Sequence, residues 1–342
     1  MTNWVFVYSE HHLSMALALK KKYPKRKFVF ISGKPQSGDF IKRIPQDIKY
    51  FQTKENTALG FFSLERKCKE IIMKLKSMSH PDEIITFYDT YSFFLYHKHI
   101  FKIKWNQVSL IEDGLANFIP ISMPSLFNRI IKASINFLLR RYQIPISILC
   151  LGKNKKVKKV YSSWPEKVLV HDSMEIINIK REYESVLHSM KSDDFTVNNL
   201  LDEKHMDILM IPPLLKTRNL SKKKIMSFMS NLLNAIKVKE KTYVKLHPAE
   251  GIKMQEFIQE AFRLKGLSAN FLNPKKPIEY YFVNLETFSL AGSPSTSHII
   301  AVNNFSEKLI DNGIIIPDHS NPFSEKHLRF LSGIKRLKTV EI

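Results

Sequence analysis

An alternation constrains this chain more than any other feature. Short apolar runs rich in β-branched and aromatic residues recur between longer segments of helical period. That pattern predicts βα units and parallel sheets, an α/β class, rather than an all-β or all-α chain. In the first half, strands are expected near Trp4 to Tyr8, Lys27 to Ser32, Glu83 to Tyr88, Gln107 to Ile111 and Ile146 to Leu151. Helices fit between them at His11 to Lys22, Phe61 to Ser77, Tyr91 to His99 and Leu126 to Tyr142. The polar stretch Lys191 to Lys204, with Asp193 and Asp194 and few apolar residues, breaks the pattern and reads as a linker. Beyond it, strands are expected at Asp207 to Ile211, Thr242 to Leu246, Ala269 to Leu272, Glu286 to Ala291 and Leu309 to Ile316. The matching helices are Ser221 to Val238, Met254 to Leu264, Ser295 to Asn303 and Ser324 to Leu331. A length of 342 residues suits two domains of ordinary size, here 1–195 and 205–342.

Glycine spacing removes several nucleotide-binding enzymes. The ten glycines include no two separated by a single residue, so there is neither a GxGxxG dinucleotide loop nor a Walker A phosphate loop. No two Asp residues stand two apart, which removes the DxD signature by which many sugar transferases hold a metal-bound diphosphate. Cys68 and Cys150 cannot form a disulfide framework or zinc-ligand spacing, and a reducing cytosol is the natural compartment. The opening run Trp4 to Tyr8 is too short for a signal-peptide core and lacks a basic leader. The best candidate for a spanning helix, Ile130 to Leu151, is interrupted by Lys132, Arg140 and Arg141, so a soluble or peripheral protein is expected.

In open parallel sheets, ligands bind at the carboxyl ends of strands, and three loops there carry polar residues. The first is Ile111-Glu112-Asp113-Gly114, an apolar strand ending in two carboxylates and a glycine. Adjacent acids on an extended chain point to opposite sides, so one of the two faces a reaction; an ordinary acid-Gly turn is the plain alternative. The second is Lys245-Leu246-His247-Pro248, where Lys245 and His247 share one side of the strand end and together suit an anion. A structural histidine is the plain alternative. The third is Ala291-Gly292-Ser293-Pro294-Ser295-Thr296-Ser297-His298 before a helical run, where hydroxyls and backbone N–H groups make a ready anion site or simply cap the helix.

Together these loops resemble the bacterial sialyltransferases of GT-B architecture, the group of lipooligosaccharide sialyltransferases and capsule polysialyltransferases. Those families carry an acid-acid-Gly motif, a Lys-x-His-Pro motif and a later Ser-Ser or Ser-Thr pair, in that order. Here they are Glu112-Asp113-Gly114, Lys245-Leu246-His247-Pro248 and Ser295-Thr296. A fourth element, a Pro followed shortly by Glu, matches Pro277-Ile278-Glu279. The likeness covers most of the chain as an architecture and about a dozen residues as motifs. Ser9-Glu10-His11-His12 stands where the family places acceptor-side residues but matches no family motif.

The resemblance implies two Rossmann-like domains facing across a cleft, with the acid motif on the N-terminal acceptor side and the CMP-sugar site in the C-terminal domain. It implies inverting transfer of sialic acid from CMP-sialic acid to a sugar hydroxyl, with no cofactor and no metal. A carboxylate must accept the proton of the attacking hydroxyl, which gives Asp113 as first choice and Glu112 as alternative. His247 would hydrogen-bond or protonate the departing phosphate. Ser295 and Thr296, with Ser293 and Ser297 beside them, would bind its other oxygens, while Lys245 and Glu279 would lie near cytidine and ribose; Gly114 and Pro248 complete the motifs.

Lys and Arg number 53 against 32 Asp and Glu, a formal net charge of +21. Clusters at Lys20 to Lys27, Lys153 to Lys159 and Lys222 to Lys224 read singly as solvated faces. Their sum favours anionic partners: an acidic or lipid-linked glycan acceptor and the cytoplasmic surface of the inner membrane. The stripe from Phe127 to Arg141 suits either a membrane surface or the core. A nucleic-acid binder is the rival from another class, but no RRM, KH, zinc-finger or helix-turn-helix signature is present, and nucleic acid is not the expected partner. Within the enzymes, transfer from another CMP-activated sugar such as Kdo, or hexose transfer on a similar fold, is the nearest competitor. Acceptor, linkage, mono- against polysialylation and oligomeric state, a homodimer included, stay open.

Overall fold

The computed structural model describes residues 1–7, 9–32, 38–52, 84–88, 105–112, 157–169, 173–189, 203–215, 219–236, 241–248, 250–274, 276–311, 313–317 and 324–340, with isolated positions at 70, 73, 75, 77, 118 and 238. The chain divides into two compact units, Met1–Val186 and Leu187–Ile342.

In the first unit the described elements run β1 (Thr2–Phe6), α1 (Glu10–Lys22), β2 (Lys27–Ser32), α2 (Gly38–Lys42), β3 (Lys49–Gln52), β4 (Ile84–Tyr88), β5 (Gln107–Ile111), β6 (Val157–Ser162) and β7 (Glu175–Asn178). Helix α3 (Lys180–Ser189) follows. The strands pair in the order β3-β2-β1-β4-β5-β6-β7, every pair parallel. That doubly wound order reverses between β1 and β4, which opens a crevice at their carboxyl ends. Trp4, Val5 and Phe6 are all buried, as a central parallel strand covered on both faces requires. Helix α1 starts where Ser9, in extended conformation, accepts from the His12 N–H at 3.2 Å. It ends with Lys20, Lys21 and Lys22, cations at the negative end of its dipole. This basic run is also tied down: Lys20 pairs with Asp47, Lys21 Nζ lies 2.8 Å from Ser185 Oγ and Lys22 lies 3.4 Å from Glu182.

In the second unit come β8 (His205–Ile211), α4 (Lys222–Ala235), β9 (Thr242–Leu246), α5 (Ile252–Arg263), β10 (Asn270–Leu272), α6 (Ile278–Asn284), β11 (Thr287–Gly292), α7 (Thr296–Asn304), β12 (Gly313–Ile315), α8 (Ser324–Ser332) and β13 (Leu337–Thr339). The sheet order is β10-β9-β8-β11-β12-β13, again parallel throughout, so its reversal lies between β8 and β11. Helix α4 opens on Lys222, Lys223 and Lys224, the wrong charges for its positive end. Packing outweighs that cost: Ile225, Met229, Leu232 and Leu233 join Met254, Phe257, Ile258 and Phe262 of α5 in one core, and a buried side chain of this size contributes about 1.5–3 kcal/mol. Lys222 also meets Glu260 at 2.7 Å.

Strands β2, β5 and β9 match their expected limits, and the other expected elements among the described residues shift by a few residues. One is corrected more heavily. Leu309 only bridges to Phe288, Asp311 turns through a left-handed φ of 57°, and the strand proper is confined to Gly313–Ile315. Sequence reading omitted α2, β3, β7, α3, α6 and β13, which are short or sparsely apolar. Strand β6 is also missing from the sequence pattern; it takes in the end of the cationic run, where Lys158 is exposed and Lys159 partly so, as a solvated face requires. There Lys159 stands in register with Glu175 of β7 and pairs with it at 2.8 Å. The expected elements Ile146 to Leu151, Tyr91 to His99 and Leu126 to Tyr142, nearly all of Phe61 to Ser77, and the linker up to residue 202 lie outside the described residues.

Candidate functional site

In the first unit, β5 delivers Glu112 directly after Ile111, and the Glu112 N–H donates to the Tyr161 carbonyl at 3.0 Å, extending the pairing to β6 by one residue. The carboxylate is turned inward and only 3% exposed. One oxygen accepts from the Ser162 hydroxyl and from the Ser163 N–H at 2.8 Å; the other accepts from the Ser163 hydroxyl at 2.6 Å. Burial pushes its pKa up, against the pull of these donors. Glu112 therefore braces β5 against β6. Asp113 and Gly114 lie outside the described residues. At the end of β1, Glu10 pairs with Arg43 and His11 Nδ1 lies 3.2 Å from the Tyr183 hydroxyl.

In the second unit three strands bring the remaining motifs together. The Cα atoms of Lys245 on β9, Met210 on β8 and Gly292 on β11 form one registered row, so the Lys-x-His-Pro loop and the small-residue loop leave the sheet on either side of β8. The second of these loops begins at the β8/β11 reversal, where Ser295 Oγ lies 3.9 Å from Met210 Sδ.

Lys245 is buried, and its ammonium donates to the carbonyls of Pro274 at 3.0 Å and Leu246 at 3.3 Å. Burial lowers its pKa to about 8, and the nearby Glu279 carboxylate partly restores it. Glu279 is buried in the first turn of α6, behind Pro277 at the N-cap, where an acid also complements the helix dipole. Lys245 thus holds the strand end to the loop that leads into α6 and Glu279. His247 reaches solvent just beyond β9. Partial burial lowers its pKa, Glu250 opposes that shift and the Lys245 charge adds to it. Pro248 is exposed beside it.

The loop after β11 contains Ser293, whose buried hydroxyl oxygen has no hydrogen-bond partner among the described residues. Ser295, extended at the N-cap of α7, makes no capping bond with its side chain. Its Oγ instead lies 3.3 Å from His298 Nδ1. Thr296 and Ser297 occupy the first turn of α7 and are partly exposed.

Four contributors escaped the sequence reading. Ser162 and Ser163 hold Glu112 from fifty residues away, and no local pattern marks them. Glu250, three residues past His247, accepts from the Leu215 N–H at 2.9 Å and so anchors the chain leaving β8; its spacing from His247 was the available signal. His298 stood in the third loop without a role.

No protein-family model and no curated protein matches the chain. Solved structures do. A UDP-N-acetylglucosamine 2-epimerase from Rickettsia bellii aligns over 88% of this chain and 76% of its own, with TM-score 0.53 and 13% identity. S. aureus MnaA, in a co-structure with UDP, aligns over 93% and 79%, with TM-score 0.52 and 12% identity. A UDP-forming α,α-trehalose-phosphate synthase from Burkholderia vietnamiensis aligns over 98% and 88%, with TM-score 0.50 and 9% identity. With two doubly wound parallel sheets in tandem, the chain has the GT-B fold.

Proposed function

We propose that this chain is an inverting, metal-independent sialyltransferase that moves sialic acid from CMP-sialic acid to a hydroxyl of a lipooligosaccharide or capsule glycan. The observation that carries the reading is the row Lys245, Met210, Gly292, which gathers the Lys-x-His-Pro motif, the Pro-x-Glu motif and the Ser-Thr loop at one strand-end site. The buried Ser293 hydroxyl supports a polar ligand there, because a buried hydroxyl left unpaired costs about 1–3 kcal/mol.

In this mechanism the acceptor hydroxyl attacks the anomeric carbon from the face opposite the phosphate. Its proton passes to Asp113 while the bond to the phosphate oxygen breaks and CMP departs. We assign the base to Asp113 because the Glu112 carboxylate is committed to Ser162 and Ser163. Burial favours the neutral form of His247 before the donor arrives, and an adjoining phosphate anion raises its pKa, so the ring takes up a proton that it can pass to the phosphate oxygen as negative charge develops there. N–H groups in the first turn of α7 supply fixed positive ends to the phosphate. Glu279 accepts from the ribose hydroxyls.

A second reading, transfer from a UDP-sugar, is favoured by the UDP named for all three of these structural neighbours; a CMP-Kdo donor is a third. Thermal shifts with CMP and UDP separate the base classes, since a ligand bound only by the folded chain raises the melting temperature. CMP-sialic acid is then assayed for hydrolysis and for transfer to lactosyl and sialyl acceptors. Stabilisation by UDP and not CMP overturns the proposal.

We propose that transfer takes place at the cytoplasmic face of the inner membrane. The net charge of +21 supports that, and no described helix is long and apolar enough to cross a membrane. Sedimentation with anionic vesicles at low and high salt tests it, with binding at low salt expected.

A further inference from the structure

Within the small-residue loop, three groups form a continuous polar chain that the mechanism above leaves unused. His298, at 0% exposure, has Nε2 3.3 Å from the Ile314 carbonyl on β12 and Nδ1 3.3 Å from Ser295 Oγ. A carbonyl oxygen can only accept, so Nε2 must carry a proton. In a neutral imidazole Nδ1 then holds a lone pair, and the proton between Nδ1 and Oγ belongs to Ser295. Burial lowers the ring's pKa to about 4, against the Ile314 and Ser295 carbonyls, which favour the charged ring; the Ser295 carbonyl already accepts from the His298 N–H at 3.2 Å. The other neighbour of Ser295 Oγ, the thioether of Met210 at 3.9 Å, competes weakly for that proton.

A serine has one proton to give. If Ser295 spent it on a phosphate oxygen, a buried ring nitrogen would lose its partner, at a cost of about 1–3 kcal/mol. We propose that His298 is a positioning residue that holds Ser295 as a hydrogen-bond acceptor, so that Ser295 receives a hydroxyl or amino group of the nucleoside while the phosphate falls to Thr296, Ser297 and the first-turn N–H groups of α7. This divides the Ser-Thr pair into two functions where the motif alone suggests one. The ligand half rests on the nucleotide reading of the site; the tautomer half rests on the geometry around His298.

Two measurements on the full chain test it. Long-range proton–nitrogen NMR of the histidine rings, with His298 assigned by difference from His298→Gln, should give the Nε2–H tautomer, unchanged between pH 5.5 and 8. If that variant does not fold, Ser295→Ala supplies the assignment through the altered Nδ1 shift. An Nδ1–H tautomer overturns the proposal. The second measurement compares binding of CMP and cytidine. Ser295→Ala should weaken both by about the same factor, on the order of tenfold for one lost hydrogen bond, whereas Thr296→Ala should weaken CMP alone. A Ser295→Ala loss confined to CMP overturns the proposal. If neither CMP nor cytidine binds the parent chain, the donor reading and the ligand half fall together, and the NMR result still decides the role of His298.

Discussion

Gly292 and Met210 stand in register on neighbouring parallel strands, so close that a side-chain carbon at 292 would fall 2.8 Å from Met210 Cβ and nearer still to the Met210 carbonyl oxygen. The backbone there also has a φ of 152°, within the range that side chains avoid. Gly292 alone lets the small-residue loop leave the sheet beside β8.

Gly292→Ala is therefore expected to destabilise the second unit by about 2–4 kcal/mol, because the opposing atoms are backbone and cannot swing away. Urea unfolding measures this. Gly266 is a control, since its left-handed φ of 71° faces open space; Gly266→Ala should cost only about 1 kcal/mol.

The two acids of the first motif should separate in their effects. Glu112→Ala removes the carboxylate that accepts from Ser162 and Ser163 in a buried place and should cost about 2–3 kcal/mol of stability. Asp113→Ala should leave the melting temperature within a degree or two and abolish transfer. Near-normal transfer by Asp113→Ala removes it as the base.

His247→Ala should lower the transfer rate by about 10²–10⁴-fold, the range for a lost general acid, with little change in stability because the ring reaches solvent. A leaving group that departs without help would restore the rate in this variant. A donor carrying a more acidic leaving phosphate is the probe, and equal sensitivity of parent and variant to that change rules the acid role out.

Lys245 gives the protein a pH dependence of definite sign. Its pKa is about 8 folded and near 10.5 unfolded, so between those values the folded chain binds fewer protons and stability rises with pH. The gain is about 3 kcal/mol at most. Tyr281, pushed up to about 12, acts oppositely but only above pH 10. Urea midpoints from pH 7.5 to 10 should climb in the parent chain and stay flat in Lys245→Met. Equal slopes would mean that Lys245 carries no such shift.

Much of the fold is local and was legible. The strands β2, β5 and β9 are mostly apolar, aromatic or β-branched because both faces of a parallel sheet are covered, with Ser109 inside β5 and Lys245 inside β9 as exceptions, and the loops that follow β5, β9 and β11 stand out as abrupt changes to polar residues. That sufficed to locate Glu112, His247 and Ser295 at strand ends. Strand β6 was hidden because Lys158 and Lys159 interrupt its apolar pattern, and the fit of Lys159 depends on a neighbour, Glu175, that periodicity cannot reveal.

What the sequence by itself determined, then, is the α/β alternation and the order of the motifs, since both follow from residue types a few positions apart. Only the tertiary structure decided what each motif residue touches. Glu112 turns to Ser162 at the end of β6 and to Ser163 just past it, Lys245 to the carbonyl of Pro274, and His298 to the carbonyl of Ile314. Those partners are reached across strand pairings and crossover loops, and a buried polar group takes its role from whichever donor or acceptor the fold brings within about 3 Å.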